Sequence, residues 1–544
     1  MAALAFAVVV TQGLRIYLAD GSYFLGEASV VLSLDGMSAL QTFQHALLGG
    51  GQNFPRLYLL AIRGVRVLLG DSTWATRLLP ELFFLAGTVL WLRLLYLRFR
   101  ARPVVVLLGV LLLAAVPTWP IYSAAVKQYT FDTFWVLALF SAPERWLDDA
   151  LGEGRRRGRL VWLLLPTAFS FTYGVALLAR VLGWWAHGAR RRGIAVDVRA
   201  ASLVGGGLVV LSGLLWLTDL RHTLSQQTLF DFWEHCTLPA PPRDAVRILD
   251  RFLLGFYEGR AEFVAPAPLP LGAHVALLLL FVVGVGRVVG SSVRPYDPAH
   301  AAAPAGWGSR SVGCVAAVAG VVATSFVLGY PLCPGRLLLY VLWPQQTVLL
   351  EGVDAALAGA ERIDRRRGTG RLAATVATLA ALVLAGVLGR AAVHTARDVV
   401  LRTPVEDVRP QLAKLRTAPD LPVIVTGCME RQIRALPGGL GMKHVIMQSL
   451  YKWVPIPFGQ EVWVIHSRQF PGQCYEIQDQ FVKMTTDAPR GPPTPGHTVL
   501  VYRTRLLTLD EMIEREKERR EKAARRMRAR ARVGGPGSAR PRHR

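Results

Sequence analysis

Residues 103–121 read PVVVLLGVLLLAAVPTWPI, an uncharged apolar run about as long as the hydrocarbon core of a bilayer is thick. Arg98, Arg100 and Arg102 precede it, and YSAAVKQYTFDTFW (122–135) follows it. A basic cluster on one flank of an apolar run marks a cytoplasmic loop, so this one stretch already orients the chain. A helix in a soluble core would be shorter and striped with polar residues.

Comparable runs lie at about 2–18, 75–97, 129–142, 160–173, 174–187, 200–219, 270–290, 311–330, 335–353 and 372–390. The sequence therefore predicts an all-α polytopic membrane domain over 1–395 with about 11 transmembrane helices. Composition agrees, because 52% of the 544 residues are hydrophobic and the mean hydropathy is +0.34. The net charge of +24 could signal nucleic acid. Its placement excludes that reading: Arg155/Arg156/Arg157/Arg159, Arg190/Arg191/Arg192 and Arg362/Arg365/Arg366/Arg367 all sit between runs. With the N-terminus inside, every cluster falls on the cytoplasmic side, and 19–74, 220–268 and everything after about 391 fall outside. The first run has no basic n-region and is read as a retained helix.

Segment 19–74 reads as surface-lying helices, with Arg56, Arg63 and Arg66 expected to reach lipid headgroups. After about 404 the pattern changes. PVEDVRPQLAKLRTA and QCYEIQDQFVKMTT predict helices, and LPVIVTG, EVWVIHS and TVLVYRTR predict strands. These make a small α/β extracytoplasmic domain over 404–505, in which Cys428 and Cys474 could pair or stay free. Residues 506–544 form a charged tail, helical at first through i,i+4 pairs such as Glu511/Arg515, Glu518/Lys522 and Glu521/Arg525. The five cysteines match no metal spacing, and no HExxH, P-loop or CxxC occurs.

Ionisable residues in or beside spans are costly and so are candidates for function. Asp20 and Glu27 lie about two helical turns apart after the first span, where a carboxylate can deprotonate an acceptor hydroxyl. Lys127 is the only lysine before residue 400. With Tyr122, Tyr129 and Asp132 close by, this compact cation suits a phosphate. Arg336 and Arg77 each open a span at the outer face. Each of these also has a bland reading, as a cap, an anchor or a snorkelling cation.

Four stretches taken together resemble the GT-C superfamily of membrane glycosyltransferases, in particular bacterial family-39 proteins related to protein O-mannosyltransferases and the lipid A aminoarabinose transferase. They are SYFLGEA (22–28), NFPRLYLLAIRGVRVLLGDSTWATRLLP (53–80), YSAAVKQYTFDTF (122–134) and YPLCPGRLLLYVLWP (330–344). The resemblance implies transfer of a sugar from a polyprenyl-phosphate donor to a lipid, glycan or protein acceptor, on the outer face of the bacterial inner membrane. It assigns Glu27 to acceptor activation, and Lys127 and Arg336 to the donor phosphate. Position in the sequence adds Asp20 as a second candidate acid, and Arg77, Tyr129 and Tyr122 as candidates at the donor phosphate. The sequence names no cofactor, and Glu27 would also suit a divalent metal. Three positions depart from the pattern: Gly26 stands for an aspartate, Phe54 for a proline and Ala125 for a glutamate. A lipid or glycan transporter and a degenerate, non-catalytic scaffold therefore stay open as alternatives.

Overall fold

In the computed structural model the described residues are 2–19, 25–45, 47–48, 54–151, 157–170, 172–192, 198–221, 236–238, 240–257, 269–293, 307–332, 335–368, 371–402, 415, 421–426, 433, 445–448, 459–467 and 499–533. The chain divides into two compact units, Met1–Val405 and Glu406–Arg544.

The first unit is helical. Its elements are α1 (Ala2–Leu18), α2 (Leu25–Gly36), α3 (Ala39–Gln44), α4 (Arg56–Leu69), α5 (Thr73–Phe99), α6 (Pro103–Ala114), α7 (Thr118–Ile121), α8 (Tyr129–Ser141), α9 (Glu144–Leu151), α10 (Arg157–Leu164), α11 (Tyr173–Arg192) and α12 (Val198–Leu215). They continue with α13 (Pro242–Leu254), α14 (Leu271–Val293), α15 (Trp307–Leu328), α16 (Leu339–Arg367) and α17 (Leu372–Arg402). Four stretches among the described residues are long and apolar enough to cross a membrane: Thr73–Phe99, Leu271–Ser291, Trp307–Leu328 and Leu372–Arg397. The chain is thus a multi-pass helical membrane protein.

Fewer helices reach that length than the apolar runs suggest, and prolines are one reason. The 103–121 run is helical only to Ala114, because Pro117 and Pro120 cannot continue the hydrogen-bond ladder and a separate turn, α7, follows. Pro166 likewise falls in a short 3-10 turn, Leu165–Ala168, between α10 and α11. Helix α16 is long, but its middle carries Gln345, Gln346, Glu351 and Asp354, all buried.

Two helix pairs approach through glycine. A Cβ on Gly284 of α14 would lie 1.9 Å from the Val348 carbonyl oxygen, and one on Gly352 of α16 would lie 1.8 Å from that of Leu280. A Cβ on Gly183 of α11 would lie 2.2 Å from the Ser309 carbonyl oxygen of α15. Small residues let backbones touch where lipid supplies no hydrophobic drive between helices.

The arginines of α4 do not reach for headgroups. Arg56 is buried and donates to the carbonyls of Thr218 and His45, each at 3.3 Å. Arg63 donates to the Leu34 carbonyl at 2.8 Å and to that of Met37. Arg66 pairs with Asp35 at 2.8 Å and with Asp71 at 3.0 Å. Protein carbonyls, among them that of Leu34 in the last turn of α2, and the carboxylates of Asp35 and Asp71 take these cations in place of lipid.

At the far end of α5, Arg98 and Arg102 do more than mark a cytoplasmic loop. Arg102 pairs with Asp354 at 2.5 Å and with Glu361 at 2.8 Å, and Arg287 of α14 pairs with Asp354 at 2.7 Å. Arg102 holds the Glu361 carboxyl below its ordinary pKa, and Glu361 raises that of Arg102 in return.

The second unit contains a sheet ordered β2-β1-β3-β4, from β1 (Val423–Thr426), β2 (Val445–Gln448), β3 (Glu461–Ser467) and β4 (Val499–Arg505). Strand β1 runs parallel to β2 and β3, whereas β4 is antiparallel to β3. Ile424, Val462, Val464 and Leu506 form its small core. Strand β2 had no sequence signal. The two expected helices, one before the first strand and one before the last, lie outside the described residues apart from Leu415, as do Cys428 and Cys474. The tail helix α18 (Leu509–Val533) starts on a capping box, with the Thr508 amide donating to Glu511 Oε2 at 2.8 Å and the Glu511 amide to Thr508 Oγ1 at 3.3 Å. Arg505 also bonds Glu511 at 2.6 Å, and together these contacts pull the Glu511 carboxyl down to about 2.

Candidate functional site

The N-terminus of α5 is set by Ser72, whose hydroxyl caps the Ala75 amide at 3.3 Å. One turn in, Arg77 points to the first turn of α2, where an acid is favoured by the helix dipole and Glu27 stands. Arg77 Nη2 lies 2.8 Å from Glu27 Oε2, and Arg77 Nε lies 3.3 Å from Oε1. The backbone amide of Val126 donates to the same Oε1 at 2.6 Å. Both charged side chains are buried.

Val126 belongs to the connection from α7 to α8, wound tightly by local bonds such as Lys127 N–H to the Ala125 carbonyl at 2.7 Å. Lys127 is 3% exposed, and its amine lies 5.6 Å from the centre of the Phe54 ring. The Tyr58 hydroxyl donates to the Lys127 carbonyl at 3.5 Å. Tyr122 and Tyr129, at either end of this connection, meet edge to face with centroids 5.1 Å apart. The Thr130 hydroxyl donates to the carbonyl of Pro80, a proline inside α5, at 2.9 Å.

Asp132, in the first turn of α8, is buried beside the hydroxyls of Ser170 and Thr172. Its Oδ1 has no hydrogen-bond partner. Tyr330, Tyr340 and Tyr58 are in electrostatic reach of it.

The structure therefore brings Glu27, Arg77, Lys127, Tyr122 and Tyr129 to one end of the helical unit. Arg77 is there as the direct partner of Glu27. Asp20 lies outside the described residues. Arg336 opens a short 3-10 turn, Arg336–Leu338, ahead of α16, and its side chain lies outside the description. Among the described residues no group of three or more His, Cys, Asp or Glu gathers to hold a metal ion.

Sequence reasoning passed over several buried charges in or beside apolar runs. Glu81 is 2% exposed with no partner for either oxygen. Arg180 is fully buried and donates to Ser309 Oγ at 3.0 Å. Glu351 and Asp354 hold the arginines at the other end of α5. It also passed over Cys236, which is disulfide-bonded to a cysteine outside the described residues. Its backbone carbonyl accepts from the Leu332 amide at 2.8 Å, which ties the segment before α13 to the one after α15.

No family model and no curated protein matches the chain. Solved structures similar to it include two of one protein. The crystal structure of ArnT from Cupriavidus metallidurans in the apo state is 14% identical, over 86% of this chain and 94% of that one, with a TM-score of 0.43. That of ArnT from Cupriavidus metallidurans bound to undecaprenyl phosphate is 14% identical, over 91% and 97%, with a TM-score of 0.32. At these scores neither likeness bears on the chemistry of the site.

Proposed function

We propose that the chain is an integral membrane glycosyltransferase that moves a sugar from a polyprenyl-phosphate donor to an acceptor hydroxyl at the outer face of a bacterial inner membrane. One observation carries this reading. Glu27, Arg77 and the Val126–Lys127 connection come from three distant stretches, and they meet at a buried acid held by Arg77 and by the amide next in the chain to a buried lysine.

In the proposed reaction the acceptor oxygen bonds to the anomeric carbon of the sugar. The bond from that carbon to the donor phosphate oxygen breaks, and the polyprenyl phosphate leaves with the electron pair. Glu27 takes the hydroxyl proton. Lys127, with Arg336, stabilises the charge that grows on the phosphate, and Tyr122 and Tyr129 wall the donor site.

The disulfide at Cys236 supports the outer-face assignment. Disulfides persist in oxidising compartments, and the Leu332 amide bonded to Cys236 is two residues from Tyr330, which neighbours Tyr129, Tyr340 and Asp132. In this reading the first unit crosses the membrane about 11 times. The 404–505 region stands outside, and 506–544 is a charged tail.

The test is sugar release from a panel of labelled polyprenyl-phosphate sugars by purified protein, parent against Glu27→Gln and Lys127→Ala. Turnover by the parent and its loss in both variants is expected. Turnover in the variants equal to the parent, or no turnover from any donor while the lipid phosphate still binds, would overturn the reading.

A further inference from the structure

Glu27 is not open to a substrate in the arrangement described. Its Oε1 accepts from Val126 and Arg77, and its Oε2 from Arg77. Glu27 is also 1% exposed, so an acceptor hydroxyl reaches this carboxylate only if a group packed around it moves. The Val126 amide is fixed by the turns around it, whereas a guanidinium on a long side chain can move. Moving Arg77 alone would leave a buried cation without its anion, which is strongly unfavourable.

A second carboxyl group lies on the same helix. Glu81 follows Arg77 by four residues on α5, the spacing that stacks side chains on one face about 6 Å apart. It is 2% exposed and neither of its oxygens has a hydrogen-bond partner. The Ser123 hydroxyl beside it reaches the Gly13 carbonyl at 3.5 Å. One guanidinium between two buried carboxyl groups pairs with one at a time, so a move of Arg77 to Glu81 keeps the cation paired and leaves Glu27 open to a new hydrogen-bond donor.

We propose that Arg77 exchanges between two carboxylates, Glu27 in the state described here and Glu81 in the working state, and that this exchange opens Glu27 to the acceptor hydroxyl. The inference rests on the transferase reading of Glu27. Glu81 is then a positioning residue. It touches no substrate, and it acts by giving Arg77 a second place to rest.

The experiment uses full-length protein in detergent and has two readouts. The first is thermal unfolding of the parent, Glu27→Gln, Glu81→Gln and the double variant. If Arg77 can move to Glu81, Glu27→Gln alone costs little. The double variant then loses more than about twice the sum of the single shifts, because only there is the guanidinium stranded. The second is transfer kinetics. Glu81→Gln lowers kcat by about tenfold or more with the donor KM unchanged, and Glu81→Asp restores part of it. Additive melting shifts, or a Glu81→Gln kcat equal to that of the parent, overturn the proposal. If the parent turns over no donor, the transferase reading fails by itself, and the melting shifts still decide whether Arg77 exchanges.

Discussion

Arg98 grips Glu351 at two points, Nε to Oε1 and Nη2 to Oε2, each at 2.8 Å. The same Oε1 accepts from Trp307 Nε1 at 3.2 Å and from Ser311 Oγ at 3.0 Å. One carboxylate thus joins α5, α15 and α16. Removing it leaves a buried guanidinium, a loss on the order of 3–5 kcal/mol. Glu351→Ala should therefore lower the unfolding temperature in detergent far more than Glu361→Ala, whose side chain is 45% exposed. Equal shifts would mean that the network is not the tie it looks to be.

Lys127 should matter to the donor and not to the fold. Lys127→Ala is expected to weaken polyprenyl-phosphate binding by about tenfold or more. Lys127→Arg should restore only part of it, because a planar fork does not replace a compact ammonium. Lipid binding measured by fluorescence quenching decides, and an unchanged Kd in Lys127→Ala would remove the residue from the phosphate site.

The glycine crossing of α14 and α16 makes a prediction with an internal control. Gly284→Ala puts a methyl 1.9 Å from the Val348 carbonyl oxygen, whereas a methyl on Gly286 would meet nothing within 4 Å. Overpacking at Gly284 should cost at least about 1–3 kcal/mol. Gly286→Ala should be neutral or slightly stabilising. Thermal unfolding of the two variants side by side is the measurement.

Acid should loosen the link between Arg102 and Glu361. The folded pKa of Glu361 is depressed, chiefly by its hydrogen bonds from Arg102. Its contribution is therefore present above the ordinary glutamate pKa and is lost as pH falls through the folded value. The group is largely exposed, so the decline should be shallow. Glu361→Gln should flatten that part of the stability curve below about pH 4, and a parent curve no steeper than the variant would refute the assignment.

Thiol labelling checks the disulfide. In denatured, unreduced protein Cys314, a buried free thiol, should label, and Cys236 should label only after reduction. Labelling of Cys236 without reductant would withdraw the support it gives to the outer-face assignment.

Much of the membrane unit was legible because a span is announced by length and composition alone. The interruption after Ala114 was missed, although Pro117 and Pro120 stand in the run read as one span. The pairing of Arg98 with Glu351 was not legible, since 253 residues separate them and no local pattern links the two. The α4 arginines misled for the same reason: a basic amphipathic stretch looks alike whether lipid or a neighbouring helix end receives its cations. At the site, the motif stretches pointed to Glu27 and Lys127, but the capture of Glu27 by Arg77 is a property of the folded arrangement. Glu81 was within reach of the sequence, as a lone acid in RLLPELFF, and was overshadowed by the better-marked residues around it.

Helix α5 holds Arg77 near its start and Arg98 near its end, about 31 Å apart along the axis. That is close to the thickness of bilayer hydrocarbon, and each guanidinium is fixed to an acid on another helix. The helix therefore works as a ruler. A membrane thinned or thickened by a few Å would draw one ion pair towards the acyl chains or leave apolar surface in water, a mismatch the helix cannot relieve by sliding. Reconstituted activity should peak at one acyl-chain length and fall on both sides of it.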